Sequence, residues 1–174
     1  MVTRQTTFAV IAPLVAGLIM LFPPSALPSY AQRQAALVVR LKTLEADSLQ
    51  HLFQDAYSGL HHAFRAVLQD SSNYRDVWDR ATLGRRNLPA VDFSREMVIV
   101  VAMGARSSTQ QSIRIQSVRA AGPLLQVRVL LVAPAPGCIV GNMETYPADI
   151  VRVPRDDRAV VTFIERFEEE RCGS

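Results

Sequence analysis

Met97-Val98-Ile99-Val100-Val101-Ala102-Met103 is an unbroken apolar run, closed by Gly104. A strand with one face in water alternates apolar and polar residues, whereas a strand covered on both faces does not. Val and Ile favour the extended form, and the run is too short for a buried helix. It predicts a central strand packed on both sides.

Toward the C-terminus, Ser112–Ala120 places Ile113 and Ile115 on one face, but Val118 falls out of that parity. An extra residue near Gln116-Ser117, a β-bulge, accounts for the slip. Leu125, Val127, Val129 and Leu131 alternate with polar Gln126 and Arg128 after the turn Ala121-Gly122-Pro123. The two segments predict an antiparallel hairpin. Pro134, Pro136 and Gly137 end it. Ile150–Val153 and Arg158–Phe167 read as further strands joined by the turn Pro154-Arg155-Asp156-Asp157, with Glu168 to Arg171 a charged tail.

Toward the N-terminus, Asp70-Ser71-Ser72-Asn73 offers helix-capping side chains before Tyr74, Val77, Trp78 and Ala81 at helical spacing. This predicts a helix over 72–82 that ends at Gly84. His61–Gln69 alternates, with His62, Phe64, Ala66 and Leu68 on one face of a strand. Ser48–Gln54 reads as a short helix carrying Leu49, Leu52 and Phe53, and Ala35–Glu45 as an edge strand. The expected fold class is α+β, mostly β: an antiparallel sheet or open sandwich of about six or seven strands with one packed helix.

The first 31 residues have the layout of a cleavable export signal. Arg4 supplies the charge, Phe8–Phe22 the apolar segment, and Ser29-Tyr30-Ala31 the small residues a signal peptidase requires. The expected organisation is a signal peptide over 1–31, an extension over 32–56 and one domain over 57–174. Secretion or residence in a periplasm follows, with no stable membrane anchor after cleavage. Cys138 and Cys172 are the only cysteines, and an even pair in an oxidising compartment predicts one disulfide. The formal charge is +3, but arginines interleave with acidic residues and no basic block stands ready for phosphates, so no nucleic-acid partner is expected.

The sequence contains no GxSxG, HExxH, SxxK, GxxxxGK or GxGxxG motif. Adjacent His61 and His62 in a strand point to opposite faces and cannot readily share a metal. Asp92 reads as a turn-shaping carboxylate rather than a general base. Trp78 reads as the helix's anchor on the sheet. No catalytic residue, metal or cofactor is therefore assigned, and the chain is read as a non-enzyme. Arg106, Ser107, Ser108, Thr109 and Gln110 form a polar loop on a buried strand, where partner-binding segments often sit.

Several motifs together resemble a known family. They are Tyr57-Ser58-Gly59-Leu60, Trp78, the run Pro89-Ala90-Val91-Asp92-Phe93-Ser94-Arg95-Glu96-Met97-Val98-Ile99-Val100, then Gly104-Ala105-Arg106. Pro136-Gly137-Cys138, Tyr146-Pro147 and Ile150–Arg155 continue the pattern. Residues 57–164 so read resemble the PrcB-type C-terminal domain. The resemblance implies a secreted bacterial accessory protein, and a protein partner of the secreted serine protease class that such a subunit stabilises. A protease inhibitor using loop 105–111, or an envelope enzyme using Asp92 and a histidine, are the alternative readings. Family members carry a Thr-Gly-Gly-Tyr-like stretch after the Gly-x-Arg; here Ser108-Thr109-Gln110-Gln111-Ser112 stands instead. Arg106 and its neighbours are what the resemblance carries over as an interface.

Overall fold

The structure is a computed structural model and describes residues 44–45, 49–157 and 160–172. The signal expected over 1–31 and most of the edge strand expected over 35–45 lie outside the described residues. The apolar run forms β4 (Glu96–Met103), antiparallel to β3 (Ala63–Leu68) on one side and β7 (Ala148–Pro154) on the other. With β2 (Gln50–Asp55) they make a four-stranded sheet ordered β2-β7-β4-β3. Residues Met97 to Ala102 each show 0% exposure, as a strand covered on both faces must.

The cover on one face is a second sheet, ordered β1-β5-β6-β8. It comprises β1 (Leu44–Glu45), β5 (Ser112–Ala121), β6 (Leu124–Pro134) and β8 (Val160–Glu170). Met97, Ile99 and Val101 meet Ile113, Ile115, Leu125, Val127 and Val129 across that interface. The other face is covered by α1 (Ser71–Thr82), whose Tyr74, Val77, Trp78 and Ala81 pack on Val98, Val100, Ala102 and Ile150. The described residues form an open β-sandwich with one helix on its outer side, an α+β, mostly β fold.

α1 begins where the capping pattern predicts. The Asp70 carboxylate accepts from the Ser72 and Asn73 N–H groups at 3.1 and 2.9 Å. Leu83 takes the left-handed conformation (φ 54°) and the Gly84 N–H returns to the Asp79 carbonyl at 2.9 Å, which closes the helix C-terminus. The Trp78 Nε1–H donates to the Arg86 carbonyl at 3.1 Å, so its polar atom is satisfied while the ring fills the helix–sheet interface. Burial pushes the neighbouring Tyr74 hydroxyl up to about 12, although its O–H still reaches the Pro89 carbonyl.

Several expectations are corrected. Ser48–Gln54 is not a helix: Gln50–Asp55 is β2, paired antiparallel with β7. The register slips between His51 and Phe53, so Leu52 and Phe53 both pack on the helix side. That bulge mimics helical spacing. The expected charged tail over 168–171 is strand through Glu170, because β8 runs parallel to β6 as far as Pro134↔Glu170. β7 and β8 lie in different sheets, so the 154–157 turn carries the chain across the sandwich. The bulge expected in β5 is present between Ile115 and Ser117.

Arg65 of β3 bonds Glu165 of β8 and so ties the edges of the two sheets together. No helix among the described residues is long and apolar enough to cross a membrane.

Gly104 ends β4 at φ 73°, and a Cβ there would lie 2.7 Å from the Ala63 nitrogen and 2.9 Å from the His62 carbonyl carbon. Both neighbours are backbone and cannot yield cheaply. Gly104→Ala is expected to cost roughly 2–4 kcal/mol by urea denaturation. An unchanged midpoint would show that the turn can be rebuilt without glycine.

Candidate functional site

Loop 105–111 leaves the buried end of β4 and crosses to β5 in the other sheet. It is pinned by the chain around 141–145 rather than projecting freely. Arg106 and Thr145 exchange backbone hydrogen bonds, each N–H donating to the other's carbonyl at 2.8 Å. The Thr145 hydroxyl donates to the Ser108 carbonyl at 2.9 Å, and the Thr109 N–H to the Gly141 carbonyl at 3.2 Å. Ser108 is only 8% exposed, and its hydroxyl accepts from the Gln111 side chain.

Of the five loop residues singled out in the sequence, Ser108 therefore serves the loop's own structure. Arg106 and Thr109 are half-buried, and Ser107 and Gln110 face solvent. Arg106 forms no ion pair with any described residue; its guanidinium donates only to the adjacent Ala105 carbonyl.

Arg106 and Ser107 border a solvent-open cleft of about 890 Å³ at this end of the sandwich. Met103, Leu131 and Ala133 give it apolar walls, and Asn142, Glu144 and Phe167 complete its lining. Phe167 is 60% exposed, and Ile139 and Met143 in the adjoining segment are 96% and 51% exposed. Large apolar side chains held in water beside a cleft are a mark of an interaction site. The Tyr146 hydroxyl donates to the Glu144 carboxylate, which raises the Tyr146 pKa. The His61 ring meets Tyr146 edge-on at 4.2 Å.

The disulfide forms between Cys138 and Cys172, with Cα atoms 5.3 Å apart. Next to it the Ala135 N–H donates to the Glu170 carbonyl at 2.9 Å. Together they hold the ends of β6 and β8, the strands that supply Leu131, Ala133 and Phe167 to the cleft.

His61 and His62 are not strand residues: β3 begins at Ala63, and both histidines are exposed in the preceding bend. Asp92 receives the Ser94 N–H and O–H at 3.0 and 2.6 Å, contacts that lower its pKa and shape the turn into β4.

Sequence reading gave no weight to the polar pair in the interior. Asp149, 0% exposed, accepts from the Ile115 N–H and from His51 Nδ1, both at 2.7 Å. The carboxylate thus bridges β7 to β5 at the β5 bulge and to β2 at the β2 bulge. The other ring nitrogen, His51 Nε2, is buried without a hydrogen-bond partner among the described residues. These residues lie 98 positions apart, so no spacing rule could join them. Phe167 and Glu144 were likewise missed; the one visible signal for Phe167 was that the alternation of Val161 and Phe163 continues to it.

Burial pushes the Asp149 carboxyl above its usual 3.8, against the bonds from Ile115 and His51 and the charge of Arg114, which pull it down. The folded state therefore holds this proton more tightly than the unfolded chain does. Its contribution to stability is present at low pH and is lost as pH rises through the raised value. Asp149→Asn keeps an acceptor for the Ile115 N–H and removes the titration. Relative to the native chain, its urea midpoint should rise between about pH 4 and pH 7 with the other carboxylates unchanged. Parallel profiles for the two proteins would refute the shift. Thr145→Val removes the donor to the buried Ser108 carbonyl and is expected to cost about 1–3 kcal/mol. Amide hydrogen exchange at 106–109 should accelerate in that variant; unaltered protection would mean the loop is held by other contacts.

Residues 97–154 match the family model described as PrcB C-terminal. The matched stretch runs from β4 through β7 and includes loop 105–111 and the chain that pins it. It is narrower than the span of the sequence motifs: β3, α1 and β8 stand outside it. Comparison with curated proteins and with solved structures gives no match. The match over β4 to β7 supports a PrcB-type C-terminal domain in this part of the chain.

Proposed function

We propose that this chain is an exported, non-catalytic accessory module that docks a polypeptide partner in the cleft beside loop 105–111, with a secreted serine protease as the partner class. The PrcB-type domain supports an accessory role related to a protease complex. The leader read over residues 1–31 and the disulfide Cys138–Cys172 support an oxidising compartment outside the cytosol.

The cleft is the observation that carries the reading. Its exposed ring, Phe167, offers an apolar anchor of the kind that dominates binding energy at interfaces. Arg106, unpaired among the described residues, offers a planar guanidinium to a carboxylate or a peptide carbonyl. Glu144 supplies the opposite charge in the same lining. An aromatic anchor with two fixed charges of opposite sign gives a segment both affinity and direction. Inhibition by insertion of the loop is less well supported, since Ser108 is buried and the Thr109 N–H is committed to Gly141. A loop held in this way receives a partner rather than entering one.

The test is affinity capture from the native envelope fraction, read with an active-site probe for serine proteases. The native chain should retain a labelled protease. Phe167→Ala and Arg106→Ala should each lower the yield about tenfold or more without changing the melting temperature. The exported protein should begin at Gln32. Capture at background level by the native chain, or a product found in the cytosol with Met1 retained, would sink the proposal.

A further inference from the structure

Among the described residues no helix lies on the outer face of the β1-β5-β6-β8 sheet, unlike the outer face of its partner sheet. Its composition follows from the register. Ile113, Ile115, Leu125, Val127, Val129, Val161 and Phe163 point into the sandwich, so their strand neighbours point outward. Cross-strand rows on the outside therefore read Arg114, Leu130 and Arg166, then Ser117, which is itself buried, Arg128 and Ile164, then Arg119, Gln126 and Thr162.

Adjacent strands lie about 4.8 Å apart and successive outward residues about 7 Å apart. Arg114, Arg128 and Arg166 thus surround Leu130, with Arg114 and Arg166 on either side of it and Arg128 one step along β6. All three arginines are exposed. Arg114 and Arg128 form no ion pair with a described residue, and Arg166 meets Glu168 at 3.1 Å in an exposed contact that is easily exchanged. Val160 and Ile164 are 51% and 40% exposed on the same face.

We propose that this face docks an acidic, partly apolar protein surface. Arginine, with its planar fork and weak hydration, combined with aliphatic side chains is the composition of a protein-binding patch; a lysine-rich point-charge surface is not. The acidic residues choose between partners. Glu168 and Glu170 follow Arg166 at one end of the outward row. The positive field is therefore a local spot bordered at that end by carboxylates. Such a spot suits a few carboxylates set among apolar groups, and it repels a long polyphosphate or a continuous anionic bilayer. The face is independent of the cleft: Leu131 and Phe167 point to the cleft side of β6 and β8, and Leu130 and Arg166 point away from it.

The test uses the full chain with a fluorescent amphipathic peptide of Leu and Glu, its counterpart with Gln for Glu, single-stranded DNA and phosphatidylglycerol vesicles. The Leu/Glu peptide should bind about tenfold tighter than each comparator at low salt, and more weakly as salt rises. Arg114→Gln, Arg128→Gln and Arg166→Gln combined should lose that tenfold, with an unchanged melting temperature because all three are exposed. Ile164→Gln should weaken binding at every salt concentration, whereas Phe167→Ala should leave it intact. Equal binding of the Gln peptide, retention by the triple arginine variant, or tighter binding of DNA or vesicles would overturn the proposal. So would loss with Phe167→Ala alone, which would place the peptide in the cleft.

Discussion

The structure depends on one strand that must be kept dry on both sides. β4 presents Met97, Ile99 and Val101 to one layer and Val98, Val100 and Ala102 to another, and each of these residues shows 0% exposure. Apolar side chains of this size each contribute on the order of 1.5–3 kcal/mol when taken from water. Neither layer alone could remove both rows. The second sheet and α1 are therefore complementary requirements, and the rest of the chain is arranged to supply them. Because β4 is so fully enclosed, the loop that leaves it at Gly104 starts from a fixed point, which is what a recognition element needs.

Enclosure has a cost in polar groups, and the interior meets it economically. A bulge in β5 takes one residue out of the ladder, and the Ile115 N–H finds the Asp149 carboxylate at 2.7 Å. His51, at the bulge in β2, takes the other side of the same carboxylate. One buried acid so joins three strands and both sheets. The Coulombic and desolvation effects oppose one another there, and desolvation is the larger. The pair reads as an internal fastening between the layers.

The cleft is assembled at the end of the sandwich from segments that share no local pattern. Arg106 comes from the β4–β5 loop, Glu144 from the chain before β7, and Phe167 from the last strand. The backbone exchange between Arg106 and Thr145 and the disulfide between Cys138 and Cys172 hold these pieces near one another. On the far side of β6 and β8 the alternation that sends Leu131 and Phe167 to the cleft sends Leu130, Arg128 and Arg166 outward. A single pair of strands thus furnishes two surfaces of different chemistry, one aromatic and dipolar, the other arginine-rich and aliphatic.

Local rules made much of the fold legible. Capping at Asp70, the unbroken apolar run of β4, the parity slip in β5 and the alternation of β6 are short-range consequences of backbone geometry and solvation, and each was visible residue by residue. Where two effects overlap at short range, the reading failed: a bulge puts Leu52 and Phe53 on one side, as a helix would, and only pairing with β7 decides between them. The parallel alignment of β8 with β6, the His51–Asp149 bridge and the meeting of Arg106, Glu144 and Phe167 rest on contacts between distant parts of the chain. A residue's type and neighbours specify whether it prefers to be extended, helical or buried. Which distant residue it faces is settled by how whole layers stack, and that emerges when every layer is present at once.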